Sequence, residues 1–146
     1  MSLDALFSLS GTAAMAGWLA LALTPSRWRL TRTLALSVAV ALALLYTALI
    51  AVFWTQGSGD FSSLDNVAAL FEHRGLLLAG WVHYLAFDLL VGAWEREEAA
   101  RMGMPRLVLL PCLFLTFMFG PLGWLAFLAA RHFTPATRPA AAAGAA

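Results

Sequence analysis

Apolar residues fall along this chain in four long blocks, each broken by a short polar or proline-bearing stretch. A helix needs about 20 mainly apolar residues to cross the hydrocarbon core of a bilayer. Four windows reach that length: Leu3 to Leu23, stopping at Thr24-Pro25; Thr33 to Trp54, ending in Gln56-Gly57-Ser58-Gly59-Asp60; Leu76 to Trp94; and Leu107 to Ala130, ended by Arg131-His132. The linkers are short, so neighbouring helices should pack antiparallel. The pattern predicts an all-α integral membrane four-helix bundle over residues 1–133, followed by a disordered Pro/Ala-rich tail over 134–146. In the one long connection, Ser62-Ser63-Leu64-Asp65 reads as a helix start, with Leu64, Val67, Leu70 and Phe71 on one face. It predicts a short helix lying at the membrane interface.

Composition closes off the alternatives. The 146 residues are 62% hydrophobic and 12% charged, with a mean hydropathy of +0.80, whereas soluble domains sit near half apolar and a quarter charged. The first window resembles a signal peptide at Ala20-Leu21-Ala22, but its start carries Asp4 and no basic residue, so a retained helix is expected. All nine basic residues are arginines, scattered between apolar blocks with a net charge of +1, which makes no stripe for nucleic acid. The lone Cys112, set among Leu, Pro and Phe, reads as a buried small hydrophobe.

Arginine placement predicts orientation. Arg27, Arg29, Arg32, Arg96, Arg101 and Arg106 fall on one side of four spans, against Arg74, Arg131 and Arg138 on the other. Both termini are therefore expected outside the cytoplasm. Packing features are also legible: Ala35, Ala39, Ala43, Thr47 and Ala51 recur every fourth residue, and Ala13 and Gly17 form a second small-residue pair. In the fourth window, Pro121 has no N–H to offer the Phe117 carbonyl, so a kink and a freed acceptor are expected there.

The third window carries the residues that do not belong in lipid. Asp88 sits near its middle, with His83 one and a half turns before it. An intramembrane ionisable residue is by default a candidate for function. At about 100° per residue, His83 and Asp88 lie about 140° apart around the helix. Asp88 instead shares a stripe with Trp81, Tyr84, Gly92 and Glu95, and the Tyr84 hydroxyl is close enough to reach its carboxyl. His83 needs a partner from another helix, for which Thr116, Tyr46 or a freed carbonyl would serve. Asn would tie helices more cheaply than Asp, so Asp88 is read as a proton donor or relay; His83 is read equally well as a helix tie. Glu95, Glu97 and Glu98 with Arg96 read as a solvated cluster at the helix end. His83 and Asp88 lack the spacing of paired metal ligands on one helical face, and neither a metal nor another cofactor is expected.

The run from Trp81 to Gly92, then Gly103-Met104-Pro105 and the run from Pro111 to Gly123, resembles the abscisic-acid-deficient-four-like family. Gly17-Trp18 and Pro25 extend the likeness into the first window. These are small four-helix membrane proteins of bacteria and plants, and the plant relative is needed to make neoxanthin from violaxanthin. The lysine-free, Ala- and Arg-rich composition and a start without a transit peptide point to a bacterial inner membrane. The resemblance implies a carotenoid- or isoprenoid-modifying isomerase. Opening an epoxide to an allenic alcohol needs an acid at the epoxide oxygen and a base at a polyene C–H, with no redox cofactor. Asp88, His83 and Tyr84 would be the catalytic groups, with Trp81, Phe87, Trp94 and Thr116 against the substrate. The rival readings are a non-catalytic binder of pigment, quinone or lipid, a helper of another membrane enzyme, and a proton-coupled or redox component. Membrane lipid is the expected surrounding partner, and the oligomeric state is left open.

Overall fold

The computed structural model describes residues 1–25 and 29–134, and its regular structure there is entirely helical. Arg27, Arg138 and the tail beyond Thr134 lie outside the described residues, as does the Arg29 side chain. α1 (Leu3–Leu23) begins at Ser2, whose hydroxyl accepts the Ala5 N–H at 3.2 Å. α2 (Arg29–Phe53) runs into a single 3₁₀ turn at Trp54–Gln56. α3 (Leu64–Glu72) is capped by Ser63 at the predicted place, its hydroxyl accepting the Asn66 N–H at 3.2 Å. α4 (Arg74–Met102) is the central element and packs against all the other α-helices. It stops at Gly103, whose φ of +71° is left-handed backbone that favours glycine. α1, α2 with its 3₁₀ turn, and α4 are each long and apolar enough to cross a membrane.

The fourth apolar window is not one long helix. It forms α5 (Arg106–Phe119) and α6 (Pro121–Phe133), joined at Gly120. Their contacts with α4 fix the direction of each. Going along α5, Thr116 meets Glu95 and Gly120 meets Asp88; returning along α6, Phe127 meets Trp94 and Arg131 meets Glu98. The chain therefore advances along α4 and comes back, making an antiparallel hairpin with its tip at Asp88. α5 has 14 residues, about 21 Å at 1.5 Å each, short of the ~30 Å hydrocarbon thickness.

The kink expected at Pro121 becomes a reversal because of two glycines. Gly120 adopts φ +51°, ψ −103°, a backbone that side-chain-bearing residues rarely take. Pro121 then suits the first position of a new helix, where no N–H is needed. Gly123 lets α6 lie directly on the α5 backbone, since a Cβ there would collide with Thr116.

Two further expectations change. Of the every-fourth-residue stripe on α2, only Ala35 and Ala39 are buried, and the buried face continues through Leu42 and Leu49. A step of four residues advances about 40° beyond a full turn, so a strict four-residue repeat rotates off a straight contact face. On α3, Leu70 is the buried position, while Leu64 is 83% exposed and stands apart from the face that packs on the bundle. The close approach expected at Gly17 is present: a Cβ there would lie 2.8 Å from Leu89, and one on Gly92 would lie 2.5 Å from Trp18.

Candidate functional site

The functional candidates are sorted by their angle around α4. Asp88 faces the hairpin tip. It is 8% exposed, and a Cβ on Gly120 would lie 2.8 Å from its Oδ1, so only a glycine fits beneath the carboxyl. Its Oδ2 is buried and has no hydrogen-bond partner. Such a group is costly in an apolar interior unless a proton, a water or a ligand answers it. Tyr84, four residues earlier, lies beside this carboxyl as the helical spacing predicts. Its hydroxyl donates towards the carbonyls of Phe117 and Met118, each at 3.3 Å. The Phe117 carbonyl is the acceptor that Pro121 was expected to free.

Two turns further along the same stripe is Glu95, which the sequence placed among solvated residues. It is 0% exposed: Oε1 accepts the Thr116 hydroxyl at 2.8 Å, and Oε2 is buried without a partner. Arg96 is 6% exposed and equally far from solvation. Its guanidinium donates to the carbonyls of Ala20, Leu21, Thr24 and Pro25 at 2.7 to 3.0 Å. Those carbonyls lie in the last turn of α1 and just beyond it, where carbonyls run short of helical donors, although Ala20 also accepts the Thr24 N–H and hydroxyl. Arg106 adds a hydrogen bond to the Ala22 carbonyl. Glu98 is buried and is held by Arg101 in a two-pronged pair at 2.7 and 2.8 Å, with Arg131 at 3.1 Å. Only Glu97, paired with Arg32 at 2.9 Å, matches the exposed cluster that was expected. The signal that Glu95 differs was its place on the Asp88 stripe; what the sequence did not reveal was the hairpin that covers it.

His83 lies elsewhere. Its ring stacks on Phe87 at 4.6 Å between centroids and meets Tyr46 edge-on at 5.2 Å. Of the three partners considered, Tyr46 is the one it contacts. His83 and Tyr46 line a cavity of about 580 Å³ between α2, α3 and α4, walled also by Ile50, Trp54, Phe61, Leu70, Phe71, Leu76 and Gly80. A second cavity of about 490 Å³ is lined by Phe71, Leu77, Gly80, Trp81, Tyr84 and Met118. His83 and Asp88 are thus not in contact, and Tyr84 is the member of the candidate set between the second cavity and the Asp88 carboxyl.

The other residues proposed against substrate separate. Trp81 stacks on Tyr84 at 5.7 Å and lines the second cavity. Phe87 is 56% exposed and forms one side of the His83 stack. Trp94 packs edge-on against Phe127 at 5.4 Å, and Thr116 is fully buried on Glu95, so these two hold the hairpin rather than line either cavity. Phe71, Gly80 and Tyr46 line the cavities without having been singled out as substrate contacts; a residue brought by α3 across a glycine of α4 has no signature in either helix alone. Cys112 is buried, as expected, with its thiol directed to the Val108 carbonyl at 3.3 Å. Among the described residues, no three His, Cys, Asp or Glu side chains are grouped to hold a metal ion.

A family model described as ABA DEFICIENT 4-like matches residues 5–127. Neither a curated protein nor a solved structure matches the chain.

Proposed function

The chain belongs to the ABA DEFICIENT 4-like family, and from that premise we propose that it is a membrane isomerase acting on a carotenoid or related isoprenoid. The observation that carries this reading is the Asp88 carboxyl, buried with Oδ2 unpartnered behind Tyr84, whose ring walls an apolar cavity. In the reaction, a proton reaches the epoxide oxygen as its C–O bond breaks. A proton leaves a polyene carbon as the new double bond forms, so the substrate gains and loses nothing overall. The Tyr84 hydroxyl, which donates to the Phe117 and Met118 carbonyls, turns to the substrate; Asp88 supplies the proton behind it, and His83 on the neighbouring cavity takes the proton from carbon. The hairpin α5–α6 fills the fourth position of the bundle as a half-depth re-entrant element, which membranes tolerate where it is packed against protein. The membrane is the bacterial inner membrane.

A second reading has its own support. Tyr84, Asp88, Glu95 and Glu98 all touch the hairpin, so the polar stripe also serves to dock it, as it would in a protein that only binds a pigment or lipid.

Expression in a host that makes epoxy-carotenoids, with chromatography of the extracted pigments, separates the two. The isomerase reading expects a new pigment that falls by about 100-fold or more in Asp88→Asn, a change that keeps the shape of the side chain. A product undiminished in Asp88→Asn would remove Asp88 from the chemistry. An unchanged profile, from wild-type protein that purifies coloured, would favour binding alone.

A further inference from the structure

His83 and Asp88 face different sides of α4, yet the cavity at His83 and the cavity at Tyr84 share two residues, Phe71 and Gly80. Gly80 precedes His83 by three residues and Tyr84 by four. At about 100° per residue, it lies about 60° from one and about 40° from the other, between them around the helix. It is therefore a notch in α4, without a side chain, on the line that joins the two candidate groups. Across that notch lies the Phe71 ring: a Cβ on Gly80 would be 2.8 Å from Phe71 Cε1. Phe71 comes from α3, a nine-residue helix in which Leu70 is the buried residue, so the ring is held by a lightly anchored element.

We propose that the two cavities are one channel, with Gly80 as its floor and Phe71 as a movable roof, and that its occupant is a long, flat, conjugated hydrocarbon. The inference rests on the isomerase reading only for the role of His83 and Tyr84; the channel itself follows from the shared walls. Apolar walls exclude a charged ligand, and each cavity alone has the volume of a pocket for a compact molecule of drug size. A rod-like polyene crossing Gly80 in place of the Phe71 ring touches His83 on one side and Tyr84 on the other. It thereby brings two residues that do not meet onto one substrate.

The test is a fluorescence titration of the purified full chain in lipid nanodiscs with the uncharged methyl ester of a linear conjugated tetraene fatty acid. A compact naphthalene-sized dye serves as the short comparison. Gly80→Leu fills the floor and should weaken the tetraene, which must cross it, by about tenfold or more, and the dye, which needs only one end of the channel, by clearly less. Phe71→Ala removes the roof and should strengthen the tetraene severalfold; because Phe71 is 38% exposed, this variant also keeps the test open if Gly80→Leu fails to fold. Equal effects of Gly80→Leu on both probes, or weaker tetraene binding in Phe71→Ala, would overturn the channel. Tetraene binding with these responses, but no pigment conversion by wild type, would leave the channel standing and remove the isomerase. Conversion with no response at Gly80 or Phe71 would do the reverse.

Discussion

Arg96 places a guanidinium, 6% exposed, against four carbonyls at the end of α1. Charge-assisted hydrogen bonds of this kind are worth about 1.5–3 kcal/mol each where the alternative is an unsatisfied buried group. Replacing Arg96 with Leu should cost about 3 kcal/mol or more in unfolding measured in detergent. Lys at this position should not restore it, because one ammonium does not span four acceptors. Asp88 and Tyr84 were legible as a pair because helical spacing alone brings residues four apart together. Glu95 and Arg96 were misread because their burial depends on α1 and the hairpin, which no local pattern around them discloses. His83 was legible as unusual but not in its surroundings, since its Tyr46 neighbour comes from α2.

At the scale of elements, three long helices and the capped α3 were plain in the sequence, because hydropathy and Ser63 act locally. The fourth window was not, since a continuous apolar run has the same composition whether it crosses or turns back; Gly120 decides it. Gly120→Ala should destabilise the fold by about 1–3 kcal/mol, because its φ of +51° strains any side chain and its Cβ would press on Asp88. Gly11→Ala, with nothing within 4 Å of the new Cβ, should instead be stabilising by up to about 1 kcal/mol. Thermal unfolding of both variants checks the contrast. Ahead of α3, Asp60 Oδ1 accepts hydrogen bonds from the Ser62 N–H at 2.8 Å, the Ser62 hydroxyl at 2.5 Å and the Asn66 amide at 3.0 Å. The Ser62 bonds, followed by that of Asn66, hold its carboxyl below the ordinary value of 3.8. A carboxyl lowered on folding contributes fully above its unfolded value and loses that contribution as pH falls through the folded one. Amide exchange at Ser62, corrected for its intrinsic pH dependence, should therefore keep full protection as pH falls to the ordinary value of 3.8 and lose it only on further acidification.

Across the whole molecule, the hairpin redistributes charge. Arg32, Arg96, Arg101, Arg106 and Arg131 gather with Glu97 and Glu98 or with the α1 terminus at one end, while Arg74 pairs with Asp4 at the other. A fourth full crossing would put Arg131 on the far side; the turn at Gly120 returns it to the arginine-rich end, beside Glu98. With the arginine-rich end cytoplasmic, the start of α1 is expected outside and the end of α6 inside. This topology underlies the candidate site, because the tip at Asp88 exists only if α5 and α6 reverse within the membrane. The direct measurement is labelling with a membrane-impermeant maleimide of single cysteines placed by Ser2→Cys or Thr134→Cys in a Cys112→Ala background, in intact cells and inverted vesicles. The cysteine at 2 is expected to react in intact cells and the one at 134 only in inverted vesicles. Reaction of both from the same side would mean a fourth full crossing, and would contradict the hairpin and the site built on it.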